Sequence, residues 1–306
     1  MRVGFFGSGA FGLPTLKAIM AEHELVFVAS QPDRPAGRRR QLRATPISEL
    51  AMEESVRLLR PEKLDDEQIA TIRSIDVDAW VVIAYGLKLP ERLLEGRFAC
   101  NLHGSLLPRW RGAAPIQRCL MAADEMSGVS VITLASVMDA GDILAEVATP
   151  IDPLETAGEL HDRLSLLGPS VVLETLSSLE SGALAPKSQR EEDITFAAKL
   201  SRAEATVDFS MTADRVRGQV HGLTPWPGCD VRIGDSVLRL RRVRSHEVSH
   251  DAKPGTLLDS GLFACGVDQG GAIEILEVQP AGGRTMAWAD WLRGHPLPEG
   301  QRMEST

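Results

Sequence analysis

No apolar run in this 306-residue chain reaches the roughly 18 residues needed to span a bilayer, which excludes a membrane-spanning helix. The N-terminus, MRVGFFGSGAFG, has neither the apolar core and cleavage site of a secretory signal nor an Arg/Ser-rich transit pattern, so the chain is expected to work in the cytoplasm. Cysteine is scarce. Cys100, Cys119, Cys229 and Cys265 are scattered without a CxxC pair, which argues against a zinc site and against a disulfide framework, and no metal is expected. An excess of positive charge is also missing. The net charge of −9 excludes a basic coat for nucleic acid, so a nucleic-acid partner would have to be gripped by local patches. Two such patches exist, Arg38-Arg39-Arg40 with Arg43, and the segment from Arg239 to Arg244 that includes Arg241 and Arg242. Internal repeats and low-complexity tracts are absent.

What is present is globular. Hydrophobic residues make up 43% and charged residues 25%, and at roughly 150 residues per domain the length suits two domains. Up to about residue 180 the pattern alternates between strands and helices. Strands are expected at 2–6, 25–29, 78–85, 98–103, 129–134 and 143–149, and helices at 14–21, 46–58 and 114–123. One long helix is expected over 156–180, bent near Gly168-Pro169. The run DAWVVIAY at 78–85 is apolar throughout, as in a strand buried on both faces of a parallel sheet. This predicts a Rossmann-like, doubly wound α/β domain. Residues 182–205 are polar and aperiodic, and a short helix is expected at 212–220. Beyond about 228, short alternating segments at 229–233, 236–243, 255–259, 262–267 and 272–279 are separated by turn signals, which predicts a small antiparallel OB-like barrel. The expected division is a catalytic domain over 1–188, a linker over 189–205 and the barrel domain over 206–306.

Three stretches carry chemistry. Gly7-Ser8-Gly9-Ala10-Phe11-Gly12 matches the dinucleotide fingerprint after a strand, but the second strand ends Ala29-Ser30-Gln31 with no acid for a ribose, so a tight strand-to-helix turn is the better reading. In NLHGSLLPRWRGAAPIQ, Asn101 and His103 lie two apart at a strand's carboxyl end. The pleat points both to one face, where ligands of open α/β sheets bind, and an amide with an imidazole there can stabilise an oxyanion. Met138-Asp139-Ala140-Gly141-Asp142 offers two carboxylates in a turn. Either could orient His103 and favour its cation, and spacing does not choose between them.

At these residues the chain resembles the folate-dependent formyltransferases, and among them the methionyl-tRNA formyltransferases. The resemblance rests on QPDRPAGR after the second strand, VVIAYGLKLP at 81–90, NLHGSLLPRWRGAAPIQR from 101, MDAGDIL at 138–144, AAKLSRAEATVDF at 197–209 and Pro225-Trp226-Pro227, in the family's order over nearly the whole chain. It implies a catalytic triad of Asn101, His103 and Asp139, choosing Asp139 over Asp142. It implies that 10-formyltetrahydrofolate, as formyl donor, binds along Ser105, Leu106, Leu107 and Pro108 near Tyr85 and Gly86. It implies a formyl acceptor on methionyl-initiator tRNA, gripped at its acceptor stem by Arg38, Arg39, Arg40 and Arg43, with Arg239 and Arg241 of the barrel assisting. A monomer is expected. The glycine loop departs from the family, whose members often carry Pro-Asp or Pro-Glu after the first Gly-Thr/Ser. The alternatives are a folate-dependent transferase acting on an amino sugar or glycinamide ribonucleotide, a nicotinamide-linked oxidoreductase using Gly7–Gly12, and a non-catalytic RNA-binding module.

Overall fold

The computed structural model describes residues 1–36, 41–266 and 270–306. In chain order the first elements are β1 (Arg2–Gly7), α1 (Leu13–Glu22), β2 (Glu24–Ala29), β3 (Arg34–Ala36), β4 (Gln41–Arg43), α2 (Pro46–Glu53), β5 (Leu58–Leu59), α3 (Asp66–Arg73), β6 (Ala79–Ile83), α4 (Glu91–Leu94) and β7 (Phe98–His103). There follow β8 (Arg111–Gly112), α5 (Pro115–Met121), β9 (Met126–Thr133), β10 (Ile143–Pro150), α6 (Ala157–Ser165) and α7 (Gly168–Glu180). The remainder holds β11 (Phe196–Ala197), α8 (Ala213–Gly222), β12 (Cys229–Ile233), β13 (Ser236–His246), β14 (Phe263–Ala264), β15 (Ala272–Pro280), β16 (Met286–Ala287), α9 (Trp288–Leu292) and β17 (Met303–Ser305).

The chain forms two compact units. One gathers Met1–Arg111, Gly128–Ala148 and His161–Thr195, and the other gathers Gly112–Ser127, Thr149–Leu160 and Phe196–Thr306. The first unit carries a seven-stranded sheet of order β10-β9-β7-β6-β1-β2-β5. Strands β5, β2, β1, β6 and β7 pair parallel, and β9 runs antiparallel to β7, so the expected α/β sheet is mixed at one side. β6, and β1 beyond Arg2, are apolar because both of their faces are buried; Phe5, Phe6, Trp80, Val81 and Ile83 have no exposed surface. Phe6 meets Phe27, Trp80 and Tyr85 edge-on at 5.4–5.5 Å between centroids, the arrangement aromatic quadrupoles favour.

Two helices differ from expectation. The helix expected over 46–58 stops at Glu53. Ser55 adopts φ +56, and Arg57–Leu59 leave to pair with β2, whose Val28 N–H donates to the Arg57 carbonyl at 2.8 Å. The helix expected over 156–180 is two helices. Pro169 has no N–H to continue α6, and its ring suits the first turn of a new helix, so Leu166 and Leu167 close α6 and α7 starts afresh at Gly168.

The second unit holds the expected small barrel, a six-stranded antiparallel sheet with β14-β15-β13-β12-β17 in order and β16 on β15. The strand expected over 255–259 is reduced to bridges. Thr256 pairs with Arg302 beside β17, and Leu257 pairs with Phe263 in β14, so this segment nearly closes the barrel. Only Phe263–Ala264 of the expected 262–267 segment is strand, and Val267 lies outside the described residues. The barrel core includes Phe263, Leu240, Val231, Trp288 and Trp291, the two indoles stacked at 4.9 Å. All four cysteines are buried free thiols that burial pushes up to about 12, which makes them unreactive.

Candidate active site

β7 ends at the carboxyl edge of the sheet between β6 and β9, with Asn101 opposite Val82 and Ile132, and His103 opposite Ser130. Asn101 is half-buried and His103 is 6% exposed. The imidazole Nε2 lies 2.9 Å from the Trp110 carbonyl, which only accepts, so Nε2 carries hydrogen. Nδ1 faces Asp139 Oδ2 at 3.7 Å, close enough for an ion pair and too long for a direct hydrogen bond.

Asp139 sits in the turn between β9 and β10 with φ +55, a left-handed conformation that aspartate tolerates better than most residues. The turn is tied down on two sides. The Thr133 N–H donates to the Asp142 carbonyl at 2.9 Å, and Thr133 Oγ1 accepts from the Asp142 N–H at 2.9 Å. Gln189 Nε2 donates to the carbonyls of Asp139 at 2.8 Å and Gly141 at 2.7 Å. A Cβ on Gly141 would stand 1.7 Å from the Thr133 carbonyl oxygen, so only glycine fits beneath the turn. Of the two carboxylates left open by the sequence, Asp139 faces His103, while Asp142 accepts from Ser188 Oγ at 3.0 Å.

The loop after β7 is equally constrained. Ser105 Oγ donates to the Arg109 carbonyl at 2.7 Å, and Ser130 Oγ donates to the Ser105 carbonyl and accepts from the Leu107 N–H. Leu107 is buried, whereas Leu106 and Pro108 are half-buried. Trp110 has φ +65; its N–H donates to Thr195 Oγ1 at 2.9 Å, and the Arg111 N–H donates to the Thr195 carbonyl at 2.9 Å. Arg111 Nε also donates to Gln189 Oε1 at 2.9 Å. Residues 189–195 therefore strap both the Asp139 turn and the loop whose carbonyl holds His103. Sequence reasoning missed Gln189 and Thr195, because a polar, aperiodic stretch carries no local signal of such a task.

Tyr85 and Gly86 line a separate cleft at the carboxyl ends of β1, β2 and β6. Tyr85 is 2% exposed, its hydroxyl has no partner among the described residues, and burial pushes its phenol up to about 12. Gly7 of the Gly7–Gly12 loop has a packing reason. A Cβ on Gly7 would come within 2.5 Å of the Phe5 ring and 2.8 Å of the Ile83 carbonyl. No acid stands at the end of β2 either, since Asp33 accepts from Arg60 at 2.7 Å.

Among the arginines, Arg38, Arg39 and Arg40 lie outside the described residues. Arg43 is exposed on β4. Arg239 is committed through both arms of its guanidinium to Asp230, at 2.7 and 2.9 Å, and Arg241 is half-buried.

A family model described as formyl transferase matches residues 1–176, and one described as formyl transferase, C-terminal domain, matches residues 199–296. The chain is 41% identical over 310 residues to the methionyl-tRNA formyltransferase of Parvibaculum lavamentivorans, covering 98% of this chain and 99% of that one. It is 40% identical over 310 residues to the methionyl-tRNA formyltransferase of Gluconobacter oxydans, covering 99% and 100%. Among solved structures, the fold resembles WlaRD, a sugar 3N-formyl transferase crystallised in the presence of dTDP and 5-N-formyl-THF, with TM-score 0.67 and 13% identity over 93% of this chain and 99% of that one. It also resembles an N-formyltransferase from Helicobacter canadensis in complex with folinic acid and dTDP-3-aminofucose, with TM-score 0.69 and 12% identity over 90% and 98%.

Proposed function

The chain belongs to the formyl transferase family, and we propose that it moves the formyl group of 10-formyltetrahydrofolate onto the α-amine of methionine esterified to initiator tRNA, in the cytoplasm, for the start of translation. The observation that carries this reading is the His103–Asp139 pair at 3.7 Å, on a strand end that also bears Asn101, in a chain similar over its full length to methionyl-tRNA formyltransferases.

The residues take on specific tasks. The neutral amine attacks the formyl carbon, a C–N bond forms, and the formyl oxygen becomes an oxyanion. Asn101 donates its amide N–H to that oxygen. His103 already has Nε2–H on the Trp110 carbonyl, so Nδ1, when protonated, is the ring donor left for the oxyanion. Each such donor is worth about 3 kcal/mol of barrier. Asp139 orients the ring and takes the amine's proton through one water. The intermediate collapses by breaking the bond to N10 of the folate, and Asp139 hands the amine's proton to N10 through the same water, so tetrahydrofolate leaves. Ser105, Leu106, Leu107, Pro108, Tyr85 and Gly86 are the proposed folate contacts. Arg38, Arg39, Arg40, Arg43 and Arg241 are the proposed RNA contacts, guanidinium forks being suited to phosphate oxygens, while the expected contact from Arg239 is given up because its fork is committed to Asp230.

The test is a formylation assay with charged initiator and elongator tRNAs and 10-formyltetrahydrofolate as donor. Formylation of methionyl-initiator tRNA, with little on the elongator, is expected. A chain that formylates a free amino sugar or glycinamide ribonucleotide and leaves charged tRNA untouched defeats the proposal.

A further inference from the structure

The segment Ser105-Leu106-Leu107 leaves the sheet just past the end of β7, so its peptide groups have no ladder to join. Ser105 is 1% exposed and Leu107 is 4% exposed. A buried carbonyl and a buried N–H in such a place need partners from elsewhere in the fold. β9 supplies both through one side chain. Ser130, opposite His103 in the β7–β9 ladder, has no exposed surface. Its Oγ donates to the Ser105 carbonyl at 2.8 Å and accepts from the Leu107 N–H at 3.1 Å. The directions are fixed, because a carbonyl only accepts and an N–H only donates. Gly128 lies two residues earlier on the same face of β9 and makes room for the Leu106 side chain. A Cβ on Gly128 would stand 2.6 Å from Leu106 Cδ2 and 2.2 Å from the Val147 carbonyl oxygen. Two successive positions on one face of β9 are thus fitted to this segment, one to its backbone and one to a side chain.

The far end of the same loop has a different anchor. The Trp110 N–H donates to Thr195 Oγ1 at 2.9 Å, and the Trp110 carbonyl accepts from His103 Nε2 at 2.9 Å. The near tie bears on 105–107, and the far tie bears on the imidazole. We infer that Ser130 is a positioning residue for the formyl donor. Its hydroxyl holds 105–107 in the shape that receives the folate and so sets donor affinity, while Thr195, acting through Trp110 on His103, sets the rate. This division of tasks rests on the function proposed above, in which the donor lies along Ser105, Leu106, Leu107 and Pro108.

Four variants of the full chain test this: Ser130→Ala, Ser130→Val, Ser130→Thr and Thr195→Val. Threonine keeps the hydroxyl, and valine has threonine's shape without it. Each is measured for equilibrium binding of 5-formyltetrahydrofolate, for kcat and KM with 10-formyltetrahydrofolate, and for melting temperature. Ser130→Ala and Ser130→Val should weaken folate binding and raise the donor KM about tenfold, since each leaves a buried N–H and a buried carbonyl without a partner. Their kcat at saturating donor should stay within about twofold of the wild type, the pattern of lost ground-state binding. Ser130→Thr should bind folate as the wild type does. Thr195→Val should show the reverse pattern, a kcat lowered about tenfold at unchanged folate affinity. A lower melting temperature in Ser130→Ala with unchanged folate affinity makes the serine a structural tie and overturns the inference. Binding by Ser130→Thr as weak as that by Ser130→Val assigns the effect to size and overturns it too. Equal losses of affinity in Thr195→Val and Ser130→Ala show one loop loosening as a whole, which overturns the division of tasks. A wild type that binds no 5-formyltetrahydrofolate defeats the proposed function along with the inference. A wild type that binds it, with Ser130→Ala binding equally well, overturns the role of Ser130 alone.

Discussion

Gln189 holds Asp139 by its peptide rather than by its carboxylate: its Nε2 donates to the Asp139 carbonyl at 2.8 Å and to the Gly141 carbonyl at 2.7 Å, which leaves the acid's side chain facing His103. Arg111 Nε donates to Gln189 Oε1 at 2.9 Å from the opposite loop. One amide thus sets the spacing between two segments that carry the proposed reaction.

Replacing Gln189 with alanine should lower kcat about tenfold with KM for folate little changed, since misplacement of a catalytic group costs rate rather than ground-state binding. Gln189→Glu should do the same, because it keeps the shape and loses both donors. Steady-state kinetics beside a thermal melt decide the matter. A fall in melting temperature with unchanged kcat would reduce Gln189 to a structural tie.

His103→Ala and Asn101→Ala should each lower kcat by 10²–10³, the expected cost of one oxyanion donor, while folate affinity holds. Single-turnover rates and equilibrium binding of a folate analogue separate the two effects. Parallel losses in rate and folate affinity would assign these residues to binding.

Gly141→Ala should abolish activity more completely than its size suggests. The added Cβ would stand 1.7 Å from the Thr133 oxygen, against backbone that cannot yield as a side chain can, so the Asp139 turn must move. Activity and a crystal structure of the variant would test this, and a variant of wild-type kcat would show that the turn relaxes freely.

His221, on α8, is 2% exposed, and its Nε2 accepts from the Val243 N–H at 3.1 Å. Burial, reinforced by Arg217 and Arg242, pushes its pKa down to about 4 from the usual 6.5. Between those values the unfolded chain binds a proton that the folded chain refuses, so stability falls as pH drops from 6.5 to 4, by on the order of 3 kcal/mol in all. Glu159, held to about 2 by Arg242, loses its contribution only below the ordinary glutamate range. Urea midpoints at pH 7, 5.5 and 4.5 should therefore fall more steeply for the wild type than for His221→Gln. Parallel slopes would remove His221 from the acid limb.

The amino-acid sequence alone determined β6 and the apolar stretches of β1 and β2, because a strand segment buried on both faces must be apolar, and that is a local pattern. It determined that Asn101 and His103 share a face, because the pleat repeats every two residues. It placed a small barrel after residue 228 from short alternation between turn residues. Local pattern left Asp139 and Asp142 open, and the family resemblance chose Asp139; only the tertiary structure decided that 189–195 straps the site and that Arg239 is spent on Asp230. Gln189 lies 50 positions from Asp139, and Thr195 lies 85 from Trp110. Hydrophobic period and turn chemistry act over about ten residues, while a hydrogen bond between distant segments depends on how the whole chain packs, and no local pattern encodes it.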